Sequence, residues 1–143
     1  MVDPKHVLRV AFDIGGVLSK YPDELRRMAN CLNAGGAEVF VLTDMLNREH
    51  VLNILSANGF AFIRPDRVHL AQYDQHGEGC KAELLRDLSI DVFLDDCIGY
   101  VTPGGAPVRC LVMPDATRPY YHETWKSLGE DSFGRATYKE PMK

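Results

Sequence analysis

The run His6-Val7-Leu8-Arg9-Val10-Ala11-Phe12, followed at once by Asp13-Ile14-Gly15-Gly16, decides how the rest of the chain is read. It is apolar and β-branched, too short for a core helix, and halted by turn residues. Those features describe a strand buried on both faces and a tight turn after it. The residues beyond Gly16 change period. Pro22 to Asn33 carries Leu25, Met28, Ala29 and Leu32 at helical spacing, opens with Pro22, Asp23 and Glu24, and meets Gly35 and Gly36. Proline and acidic residues suit a helix N-terminus, and glycine suits its end.

The same alternation continues. Ala37 to Leu42 reads as a second buried strand ending at Thr43-Asp44, and Asn47 to Asn58 as a second helix with Val51, Ile54 and Leu55 on one face. Phe60 to Ile63 and Arg67 to Ala71 read as short strands separated by Pro65, and Gln72 to Gly79 as a loop. Lys81 to Leu88 reads as a short helix, Val92 to Leu94 as a strand running into Asp95-Asp96, and Val108 to Met113 as a last strand. Strands that alternate with helices predict an α/β fold, a three-layer α/β/α sandwich around a mainly parallel, Rossmann-like sheet. One domain spans 1–143, with a core over about 6–114 and an aromatic, polar tail over 115–143 that includes Tyr120, Tyr121 and Trp125. A short helix is expected around His122 to Leu128. The tail reads as packing on its own sheet, or as a cover or dimer contact.

Composition narrows the function classes. At 143 residues the chain can bury a core without disulfides, and its formal net charge of −4 gives no general attraction to nucleic acid or anionic lipid. Arg26 and Arg27 sit on a helix, and no basic stripe with interleaved aromatics accompanies them, so no nucleic-acid partner is expected. Cys31, Cys80, Cys97 and Cys110 form neither a CxxC pair nor a zinc-type cluster. Neither a signal peptide nor a membrane-spanning run is legible, which makes a cytoplasmic setting the expectation.

Chemistry concentrates where strands end. The first strand ends at Asp13, the second at Thr43 and the fourth at Asp95-Asp96, with Lys81 opening the helix before that last pair. Taken singly, Asp13 is as well explained by a cap or turn, Thr43 by a turn, and Lys81 by a solvated helix position. Asp95 and Asp96 are harder to dismiss, because adjacent carboxylates repel unless a cation lies between them. Mg²⁺ is the ordinary solution, since it takes one or two carboxylates and keeps several waters.

In chain order, FDIGGVLS, VFVLTD, a helix led by Lys81, and VFLDD resemble the four motifs of the haloacid dehalogenase-like (HAD) superfamily of phosphohydrolases. The resemblance runs from about Val7 to Met113, and the interval from Lys81 to Asp95 looks like that of compact members such as the deoxyribonucleotidase-like branch. It implies an Mg²⁺-dependent phosphatase-type hydrolase in which Asp13 attacks phosphorus and carries an aspartyl-phosphate. Thr43, Asp44 and Lys81 would line the phosphoryl group, with Lys81 neutralising charge. Mg²⁺ would be held by Asp13, the backbone carbonyl of Gly15, Asp95 and Asp96.

Two departures accompany the resemblance. Members usually carry a second aspartate, two residues after the nucleophile, as the general acid and base; here that position is Gly15. General acid–base catalysis contributes roughly 10²- to 10⁴-fold, so substrates with poor leaving groups would suffer most. Asp44 and Ser19 are candidate substitutes. The second departure is the absence of a cap domain, for which the intervals from Asp13 to Thr43 and from Thr43 to Lys81 leave no room. An open site suits a large phosphorylated substrate, or closure by a second copy of the chain in a homo-oligomer.

Two other classes share part of this pattern. Receiver domains also gather Asp, Thr, Lys and an acidic pair around Mg²⁺, but their pair follows the first strand and the phosphorylated aspartate comes later. A catalytically impaired module that binds Mg²⁺ and phosphate, or a protein partner, would fit Gly15 and the missing cap.

Overall fold

The computed structural model describes residues 6–71, 80–95, 109–112 and 117–129. Five strands form one sheet: β1 (Arg9–Phe12), β2 (Glu38–Thr43), β3 (Val68–Leu70), β4 (Val92–Asp95) and β5 (Arg109–Val112). Their order is β3-β2-β1-β4-β5, and every neighbouring pair is parallel. Among the described residues three α-helices accompany them: α1 (Pro22–Ala34), α2 (Arg48–Ala57) and α3 (Cys80–Asp87). The molecule is therefore α/β with an all-parallel sheet, as expected. No helix among the described residues is long and apolar enough to cross a membrane.

Side-chain alternation along the strands supplies two separate cores, since successive residues of a strand point to opposite faces. Val10 and Phe12 of β1, Val39 and Val41 of β2, and Leu94 of β4 join Leu25 and Ala29 of α1 and Val51, Ile54 and Leu55 of α2. Ala11, Phe40, Leu42 and Phe93 instead join Leu85 of α3 and Ile90. Unbroken apolar strands such as VAF, VFVL and VFL supply residues to both clusters.

Local chemistry sets the element ends. Pro22 occupies the first turn of α1, followed by Asp23 and Glu24, and Gly35 caps its other end. Met28, expected on the apolar face, is exposed, because it falls at the edge of the stripe centred on Leu25, Ala29 and Leu32. In α2, the Asn47 side chain accepts a 3.0 Å hydrogen bond from the His50 N–H, a typical N-cap.

Two expectations are corrected. Phe60 to Ile63 is a turn and not a strand. Gly59, at φ +87°, reverses the chain, and the Ile63 N–H closes on the Phe60 carbonyl at 3.0 Å, leaving both side chains free to anchor in the core. Nor do His122 to Leu128 form a helix. Asn58 Nδ2 donates to the Lys126 carbonyl at 2.9 Å, and the Lys126 N–H donates to Asn58 Oδ1 at 2.8 Å. That side chain captures both backbone groups a helix would use. The strands and helices otherwise match their expected places within a residue or two, except that the first strand begins at Arg9 and not at His6. The expected loop at 72–79 lies outside the described residues.

Trp125 fixes the tail. It is buried in the larger core beside Phe60, at 6.5 Å between ring centroids. The tail thus packs on its own domain, on the side of α1 and α2.

Candidate functional site

The strand order reverses between β1 and β4. From β1 the chain steps outward through β2 to β3, then returns to β4 on the other side of β1. Open parallel sheets bind ligands at the carboxyl ends of the strands flanking such a reversal. The residues at that point are Asp13, which follows β1, and Asp95, which ends β4. The Asp13 N–H donates to the Leu94 carbonyl at 2.9 Å, so the two strand ends are tied together.

Lys81 reaches both carboxylates. Its Nζ lies 3.0 Å from Asp13 Oδ1 and 3.1 Å from Asp95 Oδ2. Lys81 and Asp95 have no exposed surface, and Asp13 is only 3% exposed. A lysine in the first turn of a helix is opposed by the helix dipole. It is held there by the two carboxylates, and by the Phe93 ring, whose centroid lies 5.5 Å from Nζ. The solvated reading of Lys81 is thereby replaced by a buried one. Asp13 precedes the turn Ile14–Leu18 without making a side-chain capping bond, so the cap reading fails for it too.

The ionisable groups of the cluster act on one another. Burial pushes the Asp13 carboxyl well above its usual range; Lys81 pulls it down, and Asp95 and Asp44 push it up again. Burial alone would lower the Lys81 ammonium, but Asp13, Asp95 and Asp44 outweigh it and hold the lysine protonated well above its ordinary value. Three carboxylates thus act on one cation. Oxygen donors of this kind suit a hard cation such as Mg²⁺. No group of three or more His, Cys, Asp or Glu side chains among the described residues is placed to hold a metal. Two carboxylates, a backbone carbonyl and water meet the modest demand of Mg²⁺ for protein ligands. The expected ligand Asp96 lies outside the described residues.

Thr43 ends β2, the neighbour of β1, with Val41 opposite Phe12. It is fully buried, and its Oγ1 accepts a 3.2 Å hydrogen bond from the Met45 N–H. The turn role is therefore present in Thr43, and its hydroxyl retains a proton to donate. Asp44 is half-buried and close enough to act on both Asp13 and Lys81.

The turn after Asp13 explains its two glycines differently. Gly16 has φ +70°, a left-handed conformation that favours glycine. Gly15, at φ −63° and ψ 127°, has a backbone any residue accepts. Its obstacle is space: a Cβ there would lie 2.1 Å from the Tyr120 hydroxyl oxygen. Ser19, a candidate substitute for the missing acid, is engaged structurally. Its Oγ accepts from the Gly16 N–H at 2.9 Å and donates to the Tyr120 carbonyl at 2.8 Å, and it is fully buried.

Tyr120 was not singled out by its sequence. It lies 105 positions from Gly15 (120 − 15 = 105) in an aromatic tail, and no spacing connects the two. The one available signal was the glycine itself, which calls for a group from elsewhere. Comparison with family models, with curated proteins and with solved structures gives no match, so the site is argued from its own residues and their geometry.

Proposed function

We propose that the chain is a phosphohydrolase of the HAD type, with the helices in three layers about the sheet, no cap domain, and Asp13 as the nucleophile. The observation that carries this reading is the buried Asp13–Lys81–Asp95 cluster at the switch point of the sheet. Desolvated ionisable groups in that position belong to function more often than to stability, since a buried ion pair is weak support for a fold. The stretch from Asp13 to Thr43 holds only a turn, α1 and β2, which supports a capless site.

In this reading the substrate is a phosphate monoester or acyl phosphate. Lys81 holds the Asp13 carboxylate in place through its 3.0 Å contact and offsets charge as a phosphoryl group approaches. An Asp13 oxygen attacks phosphorus while the leaving oxygen departs with the bonding electrons. Water then attacks the aspartyl-phosphate, releasing phosphate and regenerating Asp13. Thr43 donates its hydroxyl proton to a phosphoryl oxygen, and Asp44 borders the same space. Mg²⁺, held by Asp13, Asp95, Asp96 and the Gly15 carbonyl, would supply positive charge between the anionic nucleophile and the anionic substrate.

Hydrolysis of p-nitrophenyl phosphate and acetyl phosphate, with and without Mg²⁺, tests the reading in wild type and Asp13→Asn. Mg²⁺-dependent release that disappears in Asp13→Asn is expected. Absence of release by folded wild type, or equal release by the variant, contradicts it and favours a module that only binds Mg²⁺ and phosphate.

A further inference from the structure

Gly15 is a glycine whose backbone does not require one. Its φ and ψ are open to any residue, yet the space of its side chain is taken by the Tyr120 hydroxyl, 2.1 Å from where a Cβ would stand. A polar group therefore occupies the position two residues after Asp13, and it comes from the far end of the chain.

Several independent contacts hold that group there. Ser19, in the same turn, binds the Tyr120 carbonyl through Oγ at 2.8 Å, while its own carbonyl accepts from the His122 N–H at 2.7 Å. The Tyr120 ring stacks edge-on against Tyr121, with centroids 4.8 Å apart, and Tyr121 packs on the larger core. Upstream, Arg118 pairs with Glu24 and lies over the Tyr21 ring. Downstream, Trp125 is buried and Lys126 is bound on both backbone groups by Asn58. A segment needed only to cover α1 and α2 has no reason to be fastened to the turn that follows Asp13. Tyr120 itself remains 45% exposed, so the segment that carries it lies at the surface of the domain.

Resting on the phosphohydrolase reading, we propose that Tyr120 is a catalytic residue, its hydroxyl donating a proton to the leaving oxygen in place of the side chain that Gly15 lacks. As the phosphorus–oxygen bond breaks, the electron pair passes to the leaving oxygen, which takes the proton from Tyr120 Oη. The phenolate so formed takes a proton from the water that attacks the aspartyl-phosphate, and the phosphorus–Asp13 bond breaks to restore both residues. A phenol is a stronger acid than an alcohol, so the transfer helps an alkyl ester. It does little for an acyl phosphate, whose leaving carboxylate needs no proton. The substrate class is accordingly an alkyl phosphate.

The test is the ratio of kcat/KM for a primary alkyl phosphate, glycerol phosphate, to that for acetyl phosphate, with Mg²⁺ present. Tyr120→Phe keeps the ring and its stacking but removes the hydroxyl, and should lower the ratio about 10²-fold. Tyr120→Ala opens the space over residue 15, and the double variant Gly15→Asp with Tyr120→Ala should recover the ratio lost in Tyr120→Ala alone. A ratio unmoved by Tyr120→Phe overturns the proposal, as does a Tyr120→Ala variant faster than wild type on both substrates, which would make Tyr120 a plug. Wild type that uses acetyl phosphate through Asp13 but no alkyl phosphate also overturns it, leaving the phosphohydrolase reading intact. If wild type uses neither substrate, that reading falls and the proposal with it.

Discussion

Nζ of Lys81 lies 3.0 Å from Oδ1 of Asp13, with neither side chain appreciably exposed to water. Lys81 is the only cation in contact with the Asp13 and Asp95 carboxylates among the described residues. Lys81→Met keeps much of the side-chain volume and removes the ammonium that contacts both carboxylates. Removing one partner of a buried ion pair costs about 3–5 kcal/mol, and the loss should appear as a lower urea midpoint with an unchanged m-value. A variant as stable as wild type would show that the contact carries little weight in the fold.

Asp13 gives stability a pH dependence of known sign. Its folded carboxyl is raised above the ordinary 3.8, so the folded state holds the proton more tightly than the unfolded chain. The resulting contribution is complete below about pH 4 and lost as pH rises through the raised value. Lys81, raised above 10.5, stays charged throughout that window. Metal-free protein should therefore lose stability from about pH 4 upward in the part due to Asp13, and Asp13→Asn should flatten that part. Thermal melts across pH in a chelating buffer measure both; an equal slope in the variant counts against the assignment.

Mg²⁺ held beside Asp13 should add positive charge to the same cluster. At a free concentration near 100 times its dissociation constant it should stabilise wild type by about 2.7 kcal/mol. The increment should shrink in Asp13→Asn, which loses a charged ligand. Melting temperatures with and without Mg²⁺ check this, and no increment in wild type would speak against a metal at this site.

The two glycines of the turn should respond differently to alanine. Gly16→Ala forces a side chain into the left-handed region and should cost about 1–2 kcal/mol. Gly15→Ala keeps a backbone that any residue accepts and has only to shift the outer end of the Tyr120 side chain, with the backbone bonds between Ser19 and the tail left in place, so its cost should stay below about 1 kcal/mol. Chemical denaturation of both variants compares them directly. Equal losses would mean that Tyr120 is held too firmly to move.

Trp125 joins the tail to the core. Trp125→Ala removes a buried indole that packs on Phe60, and should cost about 3–5 kcal/mol. Its loss should also free Tyr120, read as faster exchange of the His122 amide that now bonds Ser19. A small stability change with unaltered exchange would contradict the anchoring of the tail by Trp125.

Strand positions were legible because VAF, VFVL and VFL are apolar without interruption, which only a sheet buried on both faces requires. Phe60 to Ile63 misled for the same reason. Its apolar content is equal, but Gly59 turns the chain and both Phe60 and Ile63 serve as anchors without pairing. The tail helix failed because one side chain, Asn58, binds the backbone of Lys126, a contact that no local pattern records. At the site, Asp13, Lys81 and Asp95 were legible as strand and helix ends that a parallel sheet must gather at one edge. Tyr120 was not, because its place over Gly15 depends on how the tail crosses α1 and α2.

Covalent trapping at Asp13 examines the central reading most directly. Protein turning over acetyl phosphate with Mg²⁺ is quenched with borohydride, which reduces an aspartyl-phosphate to homoserine, and the peptide containing residue 13 is sequenced by mass spectrometry. The account predicts homoserine at position 13. Turnover with no modification there, or with the modification at another carboxylate, would contradict it.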